Sequence, residues 1–324
     1  MLVINQREVL ELLSMSACIE IMQAVLADLT NGQAIQSLRS VVPLQGSHVM
    51  GLMPAYLKRE ERVGAKVITV LPDNHAKGMP SHQGFVSLFN STNGQLEAIV
   101  DGTKITAIRT AAVSAVATQL LARPEASTLA MIGTGEQART HIEAMRLVRP
   151  IERIQVWGPN PAHAQKLKEE TEGRYNLPVE VASSAAQAVR DADIICTVTA
   201  STTPILHGAW IKEGAHINAV GACRAKDREL DTELVRQAEL FVDRRESAVN
   251  EAGDYLIPLH EGEIGEGHIL GEIGELVVGL KPGRSSSAAI TLFKSLGLAC
   301  EDLAAAHYIV QEAVRRNKGT QIVF

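Results

Sequence analysis

Residues 128–145 read TLAMIGTGEQARTHIEAM: an apolar strand, Thr128 to Ile132, runs through Gly133-Thr134-Gly135-Glu136-Gln137-Ala138 into a helix. The pattern is that of a dinucleotide-binding turn. Gly133 permits the tight turn, Gly135 lets the backbone approach a pyrophosphate, and Ala138 is small enough for helix and strand to pack closely. The helix N-terminus then offers main-chain N–H groups to the phosphates. Such a glycine pattern is weak by itself, but here an apolar strand precedes it and a helix of 3.6-residue period follows.

Strand and helix patterns alternate on the C-terminal side of this stretch. Thr128–Ile132, Ile154–Trp157, Val179–Val181, Asp193–Val198, His216–Val220 and Leu240–Val242 read as strands, which predicts a parallel doubly wound α/β sheet of Rossmann type. The second of these strands ends in Val156-Trp157-Gly158-Pro159-Asn160-Pro161. No carboxylate stands there to bond a ribose 2′-OH or repel a 2′-phosphate, and no arginine to grip one. Asn160 and nearby Lys166 are the polar candidates, so the cofactor is NADP or NAD, with NADPH favoured.

The N-terminal side has a different character. Ile19, Met22, Leu26 and Leu29 form the stripe of an amphipathic helix over 16–31. Strand-like runs follow at Ser37–Leu44, Val49–Leu57 and Val63–Leu71, and Phe85–Phe89 pairs with Gln95–Val100 across Asn93-Gly94. This predicts a mixed α+β domain over 1–122, closed by an Ala-rich helix from Thr106 to Leu121. The dinucleotide-binding domain then occupies 123–299, and a final helix, about Cys300–Arg316, returns residues 300–324 to the first domain.

The chain has 324 residues, 46% of them hydrophobic, which is material for two cores. A net charge of −6 with dispersed Lys and Arg excludes a nucleic-acid surface. Cys18, Cys196, Cys223 and Cys300 form no CxxC pair, so neither a zinc site nor a disulfide framework is expected. A reducing cytoplasm fits. The N-terminus MLVINQREVLELL has no basic n-region, and no apolar run reaches membrane-spanning length. The stretch His260–Glu275 repeats Gly-Glu-Ile-Gly-Glu beside His260 and His268, without metal-ligand spacing. It reads as an acidic turn with a following helix, and no metal is assigned.

Three cations stand in apolar settings: Arg39 in a strand-like run, Lys66 within Gly64-Ala65-Lys66-Val67-Ile68, and Arg109 on the apolar face of the Ala-rich helix. Burying a cation is costly unless it is paired, so each meets a carboxylate, reaches solvent or faces a ligand. Three in one domain beside a nicotinamide site favour a substrate carboxylate, with Arg as a bidentate grip and Lys as a point charge.

Taken in order, Leu52-Met53-Pro54-Ala55-Tyr56, Gly64-Ala65-Lys66, His82-Gln83-Gly84, Thr106–Ala112, Ile132–Gly135, Asn218-Ala219-Val220-Gly221, Arg228-Glu229-Leu230-Asp231 and Thr291–Gly297 resemble the ornithine cyclodeaminase and mu-crystallin family. The resemblance covers essentially the whole chain. It implies a homodimer whose first domain carries the subunit contact, with NAD(P) on the Rossmann domain. It also implies that Arg39, Lys66 and Arg109 hold a substrate carboxylate, with Lys66 and Arg109 catalytic and Cys223 on the substrate side. Gln83, Thr110, Gly133, Thr134, Gly135, Glu136, Gln137, Asn160, Val220 and Ser295 would then line the cofactor.

Departures from the family's pattern select the chemistry. Cyclodeaminases hold an Asp where this chain has Cys223, and a Glu where it has Gly51. Cyclodeamination needs a base that takes protons from ammonium groups and later returns one to departing ammonia. A thiol with an ordinary pKa of about 8.5 is mostly neutral near pH 7 and carries no charge to attract an ammonium. Reducing a cyclic imine asks only for a clamped carboxylate, a C=N carbon presented to the nicotinamide, and a proton for the nitrogen. The expected activity is therefore NAD(P)H-dependent reduction of cyclic ketimines, Δ1-pyrroline-2-carboxylate to L-proline first and Δ1-piperideine-2-carboxylate second. The rivals are ornithine cyclodeaminase, with Asp227 as substitute base, and an NADP-loaded small-molecule-binding protein.

Overall fold

The computed structural model describes residues 1–323, with the side chains of all of them except His75 and Ala76. The chain forms two compact units, one of Met1–Arg109 with Gly297–Phe324 and the other of Thr110–Leu296. The division falls inside the helix Gly102–Leu121, directly after Arg109.

The first unit is a mixed sheet backed by helices. Its strands are β1 (Leu2–Ile4), β2 (Ala34–Gln36), β3 (Ser40–Pro43), β4 (Val49–Leu57), β5 (Arg62–Val70), β6 (His82–Asn90) and β7 (Leu96–Asp101), with a last short strand at Thr320–Gln321. The order runs from the Thr320 strand through β1, β7, β6, β5 and β4 to β2, with β3 also on β4. Every pairing is antiparallel except β1 with β7. The expected hairpin across Asn93-Gly94 is present, with Gly94 at φ 74°. Alternation sets the inner face: Met53, Ala55 and Leu57 of β4, Gly64, Lys66 and Ile68 of β5, and Val86 and Leu88 of β6 are buried. The helices Met15–Thr30 and Ala299–Arg315 pack together, and the latter also lies against β4, β5 and β6.

Two details differ from the sequence reading. The run 37–44 is not one strand: β2 ends at Gln36 and β3 starts at Ser40, leaving Arg39 in the connecting loop. The short β1 and the helix Gln6–Leu12 were not expected. The helix starts on a capping box between Asn5 and Glu8, a signal legible in the sequence.

The second unit is a parallel sheet of eight strands. These are β8 (Thr128–Ile132), β9 (Arg153–Trp157), β10 (Val179–Val181), β11 (Ile194–Thr197), β12 (His216–Ala219), β13 (Glu239–Val242), β14 (Ile269–Glu272) and β15 (Thr291–Lys294). Their order is β10-β9-β8-β11-β12-β15-β13-β14. Strand order reverses between β8 and β11, so a crevice opens beyond their carboxyl ends, where open α/β sheets bind ligands. β8 and β11 are buried at every position, as expected of parallel strands covered on both faces. The acidic stretch His260–Glu275 holds more than a turn: Ile269–Glu272 is strand β14, paired with β13, and the helix Ile273–Val277 follows. Its Ile269 and Gly271 are buried in alternation with exposed Leu270 and half-buried Glu272, a pattern too short for periodicity to reveal.

Among the described residues no single helix is long and apolar enough to cross a membrane. Nor, among them, do three or more His, Cys, Asp or Glu side chains gather as a metal would require.

Candidate active site

In the first unit two of the three cations suspected from sequence, Lys66 and Arg109, meet two consecutive carboxylates that sequence reasoning had not singled out. Glu301 and Asp302 open the helix Ala299–Arg315 and head its buried stripe, which continues through Ala305, Ala306, Ile309 and Ala313. Their place in the first turn suits the positive end of the helix dipole. Asp302 uses both oxygens: Oδ1 accepts from Arg109 Nε at 2.9 Å, and Oδ2 meets Lys66 Nζ at 2.6 Å. Arg109 Nη1 donates to Glu301 Oε2 at 2.9 Å, and the same oxygen accepts from the Leu298 N–H at 3.1 Å. Lys66 and Arg109 are 2% and 4% exposed and both acids are fully buried, so these bonds form in a medium of low polarity.

Burial works against the charge on Lys66. Desolvation and the neighbouring Arg109 and Arg39 pull its pKa down, Asp302 opposes them, and the result is about 8 against an ordinary 10.5. The ammonium of Lys66 therefore persists at neutral pH yet gives up its proton more readily than a surface lysine.

Gly297 is the junction of the two arginines. Its carbonyl accepts from Arg39 Nη2 at 3.1 Å. Its φ is +80°, and a Cβ placed there would lie 2.4 Å from Arg109 Nη1. Only glycine suits that backbone, and only glycine leaves room for the guanidinium.

The second unit holds the glycine turn. Gly133 sits at φ 122°, and a Cβ on it would lie 2.8 Å from the Val198 carbonyl oxygen beyond β11, so the chain leaving β8 beside its neighbour β11 admits no side chain. Gly135 behaves oppositely. No atom lies within 4 Å of its absent Cβ, and it is the N-cap of the helix Glu136–Val148 with no side-chain cap. The turn is open where a phosphate would approach and closed where it passes Val198. Ala138 is fully buried against β8, as its size predicts. Arg139 fastens the turn from outside: Nη1 donates to the carbonyls of Thr134 and Gly135 at 2.9 and 3.0 Å, while Nε donates to Glu170 at 2.7 Å.

The remaining cofactor candidates are scattered. Val220 and Ser295 are buried just past β12 and β15, with their N–H groups bonded to the carbonyls of Thr197 and Ala219. Thr110 is buried on the helix Gly102–Leu121. Asn160 caps the helix Pro161–Tyr175, its side chain accepting from the Ala162 N–H. Gln83 belongs to the first unit, exposed on β6 and donating to the Pro80 carbonyl. Cys223 is half-buried against the core of the second unit, its Sγ 3.5 Å from the Val220 carbonyl.

A second network, also missed from sequence, braces the strand ends. Buried Glu229 accepts from Thr197 Oγ1, from the Thr199 N–H and hydroxyl, and from the Gly221 N–H at 2.7–2.9 Å. Asp254 accepts from the Glu229 and Leu230 N–H groups and pairs with Lys294 Nζ at 2.9 Å. Polar residues inside otherwise apolar segments, Glu301-Asp302 before an Ala-rich helix and Lys294 after Thr291-Leu292-Phe293, were the available signal.

A doubly wound sheet with a dinucleotide turn, in a chain that also gathers carboxylate-binding cations, defines a nicotinamide-type oxidoreductase fold. The chain belongs to the ornithine cyclodeaminase/mu-crystallin family, which it matches over residues 1–317. It is 42% identical over 300 residues to the ketimine reductase mu-crystallin of Mus musculus, covering 91% of this chain and 92% of that one. It is 36% identical to a Δ1-pyrroline-2-carboxylate reductase of Bacillus cereus over the full length of both. Among solved structures, the Thermococcus litoralis Δ1-pyrroline-2-carboxylate reductase in complex with NADH and L-proline superposes with a TM-score of 0.97 at 39% identity, covering 99% of this chain and 100% of that one.

Proposed function

We propose that this protein is an NAD(P)H-dependent reductase of cyclic ketimines that converts Δ1-pyrroline-2-carboxylate to L-proline, with Δ1-piperideine-2-carboxylate as a second substrate. The observation that carries the reading is the buried cluster of the first unit. Lys66 and Arg109 meet Glu301 and Asp302, and Arg39, bonded to the Gly297 carbonyl, stands near enough to act on Lys66, so three cations gather at one place suited to a substrate carboxylate. Arg39 and Arg109 hold the carboxylate, and Lys66 supplies the proton to the imine nitrogen. The turn Gly133-Thr134-Gly135-Glu136-Gln137 holds the pyrophosphate through main-chain N–H groups, with Thr110, Val220, Ser295, Asn160 and Gln83 as further cofactor contacts. When bound, the reduced dinucleotide supplies hydride to the C=N carbon. Cys223 packs as a small apolar residue at the substrate side. The absence of a carboxylate after β9 favours NADPH, with NADH accepted.

We assign substrate binding and the dimer contact to residues 1–122 with 300–324 and dinucleotide binding to 123–299, a division drawn after the helix Gly102–Leu121, whereas the compact units divide within it. A homodimer is supported by the outer face of the first sheet, where Val42, Met50, Leu52, Val63 and Phe85 are exposed on adjacent strands. Leu52→Glu with Phe85→Glu should shift the sedimenting species from dimer to monomer; a wild-type monomer would overturn the dimer. A reducing cytoplasm suits four free thiols.

The deciding experiment follows NADPH and NADH consumption with five- and six-membered cyclic imino acids, with pyruvate plus ammonia or methylamine, and ornithine as a test for ammonia release. Turnover of the cyclic imino acids supports the reading. Catalytic ammonia release from ornithine, or no turnover of any imine, overturns it.

A further inference from the structure

We propose that Asp302 is a positioning residue for imine reduction, its two carboxylate oxygens holding the proton-delivering ammonium of Lys66 and the carboxylate-gripping guanidinium of Arg109 at one fixed spacing. The inference rests on the reductase reading and deepens it. In Δ1-pyrroline-2-carboxylate the ring nitrogen and the carboxylate carbon are bonded to the same atom, C2. A donor for the nitrogen and a donor for the carboxylate must therefore stand side by side, and stay so through the reaction. Separate anchors on flexible side chains would not ensure this, because Lys and Arg each lose much rotamer freedom on being held.

Asp302 is one anchor for both. It accepts a hydrogen bond from Arg109 Nε at 2.9 Å through Oδ1 and forms an ion pair with Lys66 Nζ at 2.6 Å through Oδ2. Glu301 further fixes the guanidinium through Nη1. Asp302 itself cannot swing. It is fully buried, on the first turn of a helix whose buried face packs on β5, the strand that carries Lys66. The charged groups that bear on Lys66 come from three directions: Asp302 from that helix, Arg109 from the helix Gly102–Leu121, and Arg39 from the loop before β3. Two of the three are cations, so among the described residues that bear on Lys66 it is Asp302 that favours its charged form.

In the reductive step an N–H bond of the Lys66 ammonium breaks and one forms on the ring nitrogen, while hydride from the reduced nicotinamide adds to C2. The product is the secondary amine, the dinucleotide leaves oxidised, and the neutral lysine takes a proton from water. Removing the Asp302 charge leaves Lys66 among cations only, which moves its deprotonation to lower pH.

The experiment compares wild type, Asp302→Asn and Asp302→Glu in kcat and KM for Δ1-pyrroline-2-carboxylate from pH 6 to 10. It is accompanied by a 13C-lysine NMR titration of the protein without substrate, the Lys66 signal being assigned with Lys66→Met. With Asp302→Asn the alkaline limb of kcat should move down by about one pH unit or more, with kcat at pH 8 falling at least about fivefold and less at pH 6. The Lys66 NMR titration should move the same way. Asp302→Glu keeps the charge but displaces it, so the limb should stay while kcat falls. A limb and an NMR titration unmoved in Asp302→Asn, with only KM or melting temperature changed, would make Asp302 structural and overturn the inference. Wild-type rates in Asp302→Glu would do the same, and serve if Asp302→Asn does not fold. Because the NMR titration needs no turnover, a wild type that reduces no imine would overturn the reductase reading while Asp302's hold on Lys66 is still decided.

Discussion

Each unit buries one lysine against one aspartate, and the two pairs behave oppositely. Lys66 of the first unit is 2% exposed and meets Asp302 at 2.6 Å; Lys294 of the second is 1% exposed and meets Asp254 at 2.9 Å. Burial penalises both ammonium groups alike. The pKa of Lys66 is nevertheless pulled down to about 8, whereas that of Lys294 is raised. The difference lies in the next neighbours. Around Lys66 stand Arg109 and Arg39, whereas around Lys294 stand Asp254, Glu229 and Cys223. A buried lysine among cations is poised to release a proton, and one among carboxylates is a permanent brace.

The largest effect should come from Lys66→Met. Asp302 keeps Arg109 as a partner, so the fold should survive, while kcat for imine reduction falls roughly 10²- to 10⁴-fold, the usual worth of a positioned proton donor. Steady-state rates beside a thermal melt separate the two, and a variant that melts early with normal turnover would erase the contrast. Lys294→Met should do the reverse. It leaves Asp254 and Glu229 buried without their cation, and removing one member of a buried pair costs roughly 3–5 kcal/mol of stability. Urea unfolding is the measurement, and unchanged stability with lost turnover would assign Lys294 to the chemistry.

Because Lys294 stays charged across the working range, acid lability of its unit must come from elsewhere, and His141 is a source. Its ring lies between the Gln137 carbonyl and the Ser114 hydroxyl, and burial lowers its pKa to about 4 from 6.5. The folded value is below the free one, so the unfolded chain takes the proton first. The stability this histidine contributes is present above about pH 6.5 and lost as pH falls toward about 4. The loss is roughly 3 kcal/mol when complete. Urea midpoints at pH 7 and 4.5 should differ less in His141→Gln than in wild type; equal differences would refute it.

The smallest effect expected is that of Gly297→Ala, at about 1–2 kcal/mol for an L-residue held in left-handed backbone. The new methyl also meets the Arg109 guanidinium, so KM for the imino acid should rise more than kcat falls. A normal KM would show that Arg109 tolerates displacement, and that the surroundings of Lys66 are less fixed than those of Lys294.

The three cations were legible because a charge inside an apolar run is conspicuous whatever the fold, and the glycine turn because strand, turn and helix are contiguous. Asp302 was not, because it lies 193 residues from Arg109 in the chain and opens a helix that reads as ordinary and amphipathic. Arg39 was read into a strand because its neighbours Val41 and Val42 are β-branched; the loop that carries it follows from how β2 and β3 each pair with β4.

By itself the sequence determined the parallel Rossmann sheet, the mixed first sheet, the turn at Gly133 and three cations in apolar runs, all properties of period, glycine spacing and composition within short windows. Only the tertiary structure decided which carboxylates those cations meet, that Gly297 must be bare for Arg109 to fit, and that one buried lysine sits among positive charges and the other among negative ones. Those outcomes depend on contacts between segments far apart in the chain. The energy of a buried charge is set by its neighbours in space, which no local pattern of residues records.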